Sequence, residues 1–368
     1  MKQSLPLQGL KVVTIEQAVA APFASSRLAD AGAEVVKIER PEGDFARGYD
    51  TAAAGQSSYF VWLNRGKTSV ICDLTTAAGK AALEAQIATA DVVIQNLKNG
   101  ALEKLGFGAG RLATDYPKLI ICSISGYGET GPMSDRKAYD LLVQAESGLC
   151  SITGGPSEPS RVGLSVVDIA TGATAHAAIL EALIQRGITG AGAQISVSMF
   201  DVIAEWLTVP LLNHESGNSP SRLGMMHPSI APYGVFTTKD GKQILLAVQS
   251  DREWRQLCRE FLNDVSLGTQ PKFATNVARV QNRDATDRMV AGGFAAMTAE
   301  EATPVLLRAG LALANVNDMA GLAAHPHLRR VTLQTPKGPV SLPAPAPIIV
   351  GETRDYGAVP DLGEQGTR

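Results

Sequence analysis

The stretch that decides the fold is Leu7-Gln8-Gly9-Leu10-Lys11-Val12-Val13-Thr14-Ile15-Glu16, with Gln17-Ala18-Val19-Ala20-Ala21-Pro22 behind it. The first ten residues read as a short β-branched strand opened by Gly9. The next six are small and form a loop. Phe23 to Ala31 is helix-like, and after Gly32 the run Glu34-Val35-Val36-Lys37-Ile38-Glu39 is a second strand. Strand, loop, helix and strand in that order make the repeating unit of a parallel sheet. Such folds take ligands at the carboxyl ends of their strands, which is where Gln17 to Pro22 lies. The loop is not a GxGxxG, so the nicotinamide fingerprint is absent.

The same alternation continues outward. Tyr59 to Lys67 leads into a strand over Thr68 to Asp73, and Gly79 to Ala90 reads as a helix. Asp91-Val92-Val93-Ile94-Gln95-Asn96 and Leu119-Ile120-Ile121-Cys122-Ser123-Ile124 are buried strands, and Gln194 to Met199 alternates as a last one. Strands and helices recur at about 25–30-residue spacing, which predicts a doubly wound, Rossmann-like α/β domain over residues 1–205. Residues 206–225 are polar with Gly and Pro and read as a linker. Tyr233 to Thr238 and Gln243 to Val248 flank Lys239-Asp240-Gly241-Lys242, a hairpin with an Asp-Gly turn. Helical stretches follow at Glu253 to Asn263, Asp284 to Ala296 and Ala299 to Ala309. Residues 226–324 are therefore expected to form a smaller α+β domain. The Pro-punctuated tail is expected to return to the first domain, which adds residues 325–368 to it.

The chain has 368 residues, 45% of them apolar, and a net charge of −3. That size allows two cored domains, and the charge gives no reason to expect nucleic acid or an anionic membrane as partner. Met1-Lys2-Gln3-Ser4-Leu5-Pro6 has no signal-peptide core, and no uninterrupted apolar run reaches the roughly 18 residues of a membrane span. Cys72, Cys122, Cys150 and Cys258 are far apart without a CxxC, which reads as free thiols in a reducing cytoplasm. His325-Pro326-His327 is the nearest thing to a histidine pair. The proline makes it a loop, and no metal is expected.

Arg161-Val162-Gly163-Leu164-Ser165-Val166-Val167-Asp168-Ile169-Ala170-Thr171-Gly172 sets one acid in an apolar, small-residue run. Ile169 to Leu183 reads as a mostly buried helix with Asp168 at its mouth. Two readings stand: an ordinary N-cap, or a reactive carboxylate. First-turn amides would keep either one charged in a dry place. Arg161 reads as structural, and His176 as hydrogen-bonded filler in an apolar helix.

Several pieces come in a recognisable order: Leu7 to Val13; Ala31-Gly32-Ala33-Glu34-Val35-Val36-Lys37-Ile38-Glu39-Arg40-Pro41; Leu63-Asn64-Arg65-Gly66-Lys67; Gln95-Asn96-Leu97-Lys98-Asn99-Gly100; Lys137-Ala138-Tyr139-Asp140; and Asp168 before an Ala-rich helix. Together they resemble the class III CoA-transferases, the formyl-CoA and carnitine CoA-transferase family, from about residue 7 to 330. The resemblance implies an interlocked homodimer with a Rossmann-like large domain and a small domain. It implies acyl-CoA and carboxylate substrates and no permanently bound cofactor. Asp168 matches the family nucleophile, which attacks the acyl-CoA thioester to give an aspartyl anhydride and then an aspartyl-CoA thioester. The chemistry is coherent: an anhydride or thioester on a carboxylate conserves thioester energy, needs water excluded and needs amide donors for each oxyanion. The loop of Gln17, Ala18 and Val19 is the candidate donor, with Tyr139 beside the substrate. For CoA, the matching positions are Arg40, Lys67, Lys137, Asn96 and Leu97. Exposed surface charge is the alternative for Arg40 and Lys67.

Tyr139 stands where α-methylacyl-CoA racemases have a histidine. A phenol with a pKa near ~10 abstracts protons poorly at neutral pH, which disfavours racemase chemistry. The glycine run of formyl-CoA transferases is missing, since Gly292-Gly293 lies in another context. Arg40 to Arg47, Tyr59 to Arg65 and Arg222 to Gly234 resemble mesaconyl-CoA and succinyl-CoA:itaconate transferases. Transfer to a short branched dicarboxylate is therefore expected, with intramolecular C1–C4 transfer in mesaconyl-CoA as the alternative. A dicarboxylate needs a cation for its non-reacting end. Arg47, with Arg222 or His227, is the expected clamp.

Overall fold

The computed structural model describes residues 5–364 and divides into two compact units. The first holds the chain through Cys150, Arg161–Leu212 and the chain from Arg329. The second holds Ser151–Ser160 and Asn213–Leu328. Ser151–Ser160 thus falls with the second unit, against its expected place in the large domain.

The first unit is built on six strands: β1 (Lys11–Ile15), β2 (Glu34–Glu39), β3 (Lys67–Ile71), β4 (Val92–Gln95), β5 (Ile120–Ser125) and β6 (Ala193–Ser198). Their order is β3-β2-β1-β4-β5-β6, and each pairing is parallel. Both faces are covered, which is why the strands read as continuous Val and Ile runs and not as alternation. On one face Val12, Val35, Val92, Ile94 and Ile120 pack with Ala24 and Leu28 of α1 (Ala20–Asp30). On the other, Val13, Val36, Val93 and Ile121 pack with Leu83 and Ile87 of α3 (Ala77–Ile87), which follows the short α2 (Ser58–Leu63). The strand order reverses between β1 and β4. A crevice opens at such a switch point, at the carboxyl ends of the two strands.

Four short helices, α4 (Ala101–Leu105), α5 (Ala109–Asp115), α6 (Asp140–Glu146) and α7 (Leu149–Ile152), precede α8 (Val166–Thr189). By length and composition α8 is apolar enough to cross a membrane. Here its residues Ala170, Ala175, Ile179 and Ala182 lie in the same core as α1. α9 (Met199–Trp206) and α10 (Thr208–Glu215) follow, so much of the expected linker is helical.

In the second unit β7 (Tyr233–Thr237) and β8 (Gln243–Ala247) form the expected antiparallel hairpin. A third strand, β9 (Ala312–Asn315), pairs with β8 and was not anticipated. It is a short, mostly exposed edge, Ala-Leu-Ala-Asn, with no β-branched residue to mark it. Around this sheet stand α11 (Asp251–Glu260), α12 (Asn276–Gln281), α13 (Arg283–Ala296), α14 (Ala299–Arg308) and α15 (Met319–Ala323). Trp254, Phe261, Phe294 and Leu306 fill the core. Back in the first unit, β10 (Arg330–Leu333) and β11 (Val340–Pro343) make a hairpin. Leu333 and Val359 pack there on Phe60 and Val61.

Candidate active site

The chain leaves β1 through Glu16 and turns into α1 at the switch point. Asn96, just past β4, grips this turn with both ends of its amide. The Gln17 amide donates to Asn96 Oδ1 at 2.9 Å, and Asn96 Nδ2 donates to the Gln17 carbonyl at 2.8 Å. Ala18 has φ 62°, a left-handed conformation unusual for a residue with a Cβ. Its amide donates to Asp44 Oδ1 at 3.3 Å. The oxyanion donors expected at Gln17 and Ala18 are therefore already engaged. The amides of Val19 and Ala20, at the mouth of α1, have no protein acceptor among the described residues.

Across from this loop begins α8. Its N-cap, Ser165, makes no side-chain cap. Asp140, the first residue of α6, does that work: Asp140 Oδ1 accepts from the amides of Val167 at 2.8 Å and Asp168 at 3.1 Å. Asp140 Oδ2 accepts from Gln144 Nε2 at 2.5 Å, and Gln144 Oε1 accepts from the Val162 amide at 2.9 Å. Asp168 is thus a first-turn residue and not the cap. The expectation that first-turn amides hold it charged is overturned, because Asp140 has taken them. No hydrogen bond reaches the Asp168 carboxylate among the described residues. Burial, and then the negative charge of Asp140, push its pKa up to about 7.

Gly172, one turn further along α8, sets how near the two elements come. A Cβ there would lie 2.4 Å from the Ala20 carbonyl oxygen and 2.8 Å from Phe23 Cβ. Only glycine allows α1 to cross α8 this closely.

A cavity of about 560 Å³ lies between these parts. Of the residues singled out from sequence, Asp168, Gln17, Ala18, Val19, Tyr139, Asn96, Leu97 and Lys137 all line it. Arg40 lines an adjoining cavity of about 230 Å³ that shares Gln17 and Leu97. A larger hollow of about 670 Å³ sits at the opposite, amino ends of β1, β2 and β3. It lacks Asp168 and the switch-point loop, so the site is placed at the carboxyl ends.

Other expected residues stand elsewhere. Lys67 lines the amino-end hollow, but its ammonium has no exposure and donates to Glu16 Oε1 at 2.7 Å, Asn64 Oδ1 at 3.1 Å and the Pro22 carbonyl at 3.2 Å. A cation so enclosed does not present itself to a CoA phosphate. Arg47 is committed to Glu39, by Nε at 2.9 Å and Nη2 at 2.7 Å, and its guanidinium lies 3.7 Å from the Phe60 ring centroid. Burial works against the charge of Glu39, but Arg47 and Lys37 prevail and hold its pKa at about 2. Arg222 and His227 belong to the second unit. Arg222 donates to the carbonyls of Ser151, Gly155 and Pro156 at 3.1, 3.1 and 3.3 Å, and His227 stacks on Tyr233 at 5.2 Å.

The sequence reading missed several lining residues. Phe45, Tyr49 and Tyr59 form an aromatic wall, with ring centroids 5.7 and 5.5 Å apart in succession. The Tyr49 phenol is pushed up to about 12 by burial and then by Asp44, Asp168 and neighbouring tyrosines. Lys98, Arg136 and Arg161 join Lys137 around the cavity. Arg161, read as structural, is exposed at its wall.

An acid that lines a switch-point crevice together with Val19, Ala20 and four cations suits an anionic substrate attacked by a carboxylate. A model of CoA-transferase family III matches residues 7–365. The chain belongs to CoA-transferase family III. It is an enzyme of the CoA-transferase type. It is 36% identical to the succinate–glutarate CoA-transferase of Agrobacterium fabrum over 98% of this chain and 93% of that protein. It is 34% identical to the acetyl-CoA:oxalate CoA-transferase of Acetobacter aceti (98% and 94%). It is 32% identical to the succinyl-CoA:mesaconate CoA-transferase of Haloarcula hispanica (88% and 83%). Among solved structures it resembles a CAIB/BAIF family protein from Brucella suis with TM-score 0.84 and 34% identity, covering 98% of this chain and 97% of that one.

Proposed function

We infer that this CoA-transferase moves CoA from succinyl-CoA to a short branched dicarboxylate such as itaconate or mesaconate, with Asp168 as covalent nucleophile. The observation that carries the reading is Asp168 itself: a carboxylate without a hydrogen bond among the described residues, lining one cavity with Val19 and Ala20, whose amides have no protein acceptor there either. Asp168 attacks the thioester carbonyl, the C–S bond breaks and CoA leaves as thiolate. The thiolate then attacks the aspartyl carbonyl of the anhydride and releases the donor carboxylate, leaving aspartyl-CoA. The acceptor carboxylate repeats these two steps in reverse and leaves as its CoA thioester, and Asp168 is regenerated. Each attack places a negative charge on a carbonyl oxygen, and the Val19 and Ala20 amides are the donors suited to it. Lys98, Arg136, Lys137 and Arg161 suit the anionic substrates. Relatives named for glutarate, oxalate and mesaconate support a dicarboxylate acceptor.

An interlocked homodimer is part of this reading. Ile188 is 76% exposed on α8, and Trp206 and Val209 are 58% and 67% exposed on α9 and α10. Apolar residues in such number call for a covering surface.

The test mixes succinyl-CoA with a panel of mono- and dicarboxylates and traps the enzyme with hydroxylamine or borohydride. Modification at Asp168, absent from Asp168→Ala, is the expected result. Turnover by Asp168→Ala would overturn it. Light scattering of the same preparation reads the dimer.

A further inference from the structure

Beneath the Gln17–Val19 loop lie four charged side chains with no exposure: Glu16, Lys37, Asp44 and Lys67. Lys37 Nζ donates to Asp44 Oδ2 at 2.9 Å and lies 3.5 Å from Glu16 Oε1, the oxygen that Lys67 meets at 2.7 Å. Glu16 Oε2 accepts from Ser25 Oγ of α1 at 2.7 Å. Asp44 Oδ1 accepts from the Ala46 amide at 2.9 Å and from the Ala18 amide, while the Asp44 amide donates to Glu39 Oε2 at 2.9 Å. Two carboxylates and two ammoniums are expensive to bury and return little net stability compared with an apolar core. One of them, Asp44, meets a backbone amide that is itself strained, that of the left-handed Ala18.

We propose that Asp44, oriented by Lys37, is a positioning residue that holds Ala18 left-handed and so aims the Val19 and Ala20 amides into the cavity beside Asp168. The inference rests on the reading of that cavity as the acyl-transfer site. Asp44 does not line the cavity that holds Asp168. It fixes the loop from one side as Asn96 fixes it from the other. An alanine at φ 62° relaxes toward negative φ when nothing holds it, and that rotation turns the following amides away.

The test is a double-mutant cycle with a measurement on the unaltered protein beside it. Asp44→Ala lowers kcat about tenfold or more while leaving KM for the acyl-CoA within about twofold, because alignment is lost and binding is kept. Glycine adopts positive φ freely, so in the Ala18→Gly background the same Asp44→Ala step costs only about threefold, a coupling that general destabilisation does not produce. Equal losses in both backgrounds overturn the proposal. Residue-resolved hydrogen exchange on the wild-type protein needs no variant to fold. The Ala18 amide is expected to exchange about a hundredfold or more below the free-chain rate, and exchange at that rate overturns the proposal. The exchange arm does not depend on Asp168. Turnover by Asp168→Ala would remove the nucleophile reading, whereas fast exchange at Ala18 would remove only this one.

Discussion

Asp140 accepts the backbone amide of Asp168 at 3.1 Å and, with the same oxygen, the amide of Val167 at 2.8 Å. One carboxylate therefore caps the helix that carries the other. The arrangement fixes the place of Asp168 while raising its affinity for a proton.

The first prediction concerns pH. Asp168 titrates at about 7, raised first by burial and then by Asp140. In the proposed mechanism only the ionised form attacks, so kcat/KM is expected to rise with pH up to about 7 and level above it. Asp140→Asn keeps an oxygen for the two amides but removes the charge. Its ascending limb moves to lower pH, read as activity at pH 6 relative to pH 8. An unmoved limb would assign the whole shift to burial.

Stability has its own pH dependence at the same residue. The folded value of about 7 lies above the ordinary aspartate value of 3.8, so folding takes up a proton between these values. Stability from this group is full below about 4 and is lost as pH rises through about 7. Asp168→Asn is neutral throughout and escapes that loss. Its melting temperature exceeds that of the wild type at pH 8, by on the order of 2 °C, with a smaller gain at pH 5. Scanning calorimetry at both values checks the sign.

Gly172→Ala places a methyl group against the Ala20 carbonyl. The α1–α8 crossing must open, at a cost of about 1–3 kcal/mol for overpacking. The loop ahead of α1 moves with it, so kcat falls more than KM rises. Urea unfolding and steady-state kinetics on one preparation separate the two effects. Full activity in a destabilised variant would detach this crossing from catalysis.

Two arginines are candidates for the second carboxylate of the proposed dicarboxylate acceptor. Arg161 stands exposed at the cavity wall, whereas Arg47 is spent on Glu39. Arg161→Gln raises KM for a dicarboxylate acceptor by about tenfold and spares a monocarboxylate, the worth of one charge-assisted contact. Arg47→Gln removes the guanidinium that pairs with the buried Glu39, leaving it only Ser69, the Asp44 amide and the charge of Lys37; it lowers the melting temperature and alters both acceptors alike. The opposite pattern would return Arg47 to the substrate.

The parallel sheet was legible because strands buried on both faces leave continuous Val and Ile runs, as at Val12-Val13 and Val92-Val93-Ile94. Asp168 stood out as the one acid in an apolar stretch, and the resemblance gave it a role. Lys67 and Arg47 were misjudged for a common reason. A cation beside a strand end reads as exposed, and nothing in the local pattern names its partner. Glu16 lies 51 positions from Lys67, and Glu39 lies 8 from Arg47 across a turn. The cap on α8 was hidden likewise, since Asp140 and Asp168 are 28 positions apart. Pairings across such separations are set by the tertiary fold, not by periodicity.

The buried quartet of Glu16, Lys37, Asp44 and Lys67 sums to zero charge and so has no monopole. Its potential falls off faster with distance than that of a single ion, and enclosed charges are screened little by salt. Long-range attraction of an anionic substrate is therefore left to the rim cations Lys98, Arg136, Lys137 and Arg161, which are exposed and whose reach is cut by salt to a Debye length of about 8 Å at physiological ionic strength. Capture and alignment are in this way electrically insulated from each other. Added electrolyte weakens the hold on the substrate while the geometry at Ala18 stays as it is.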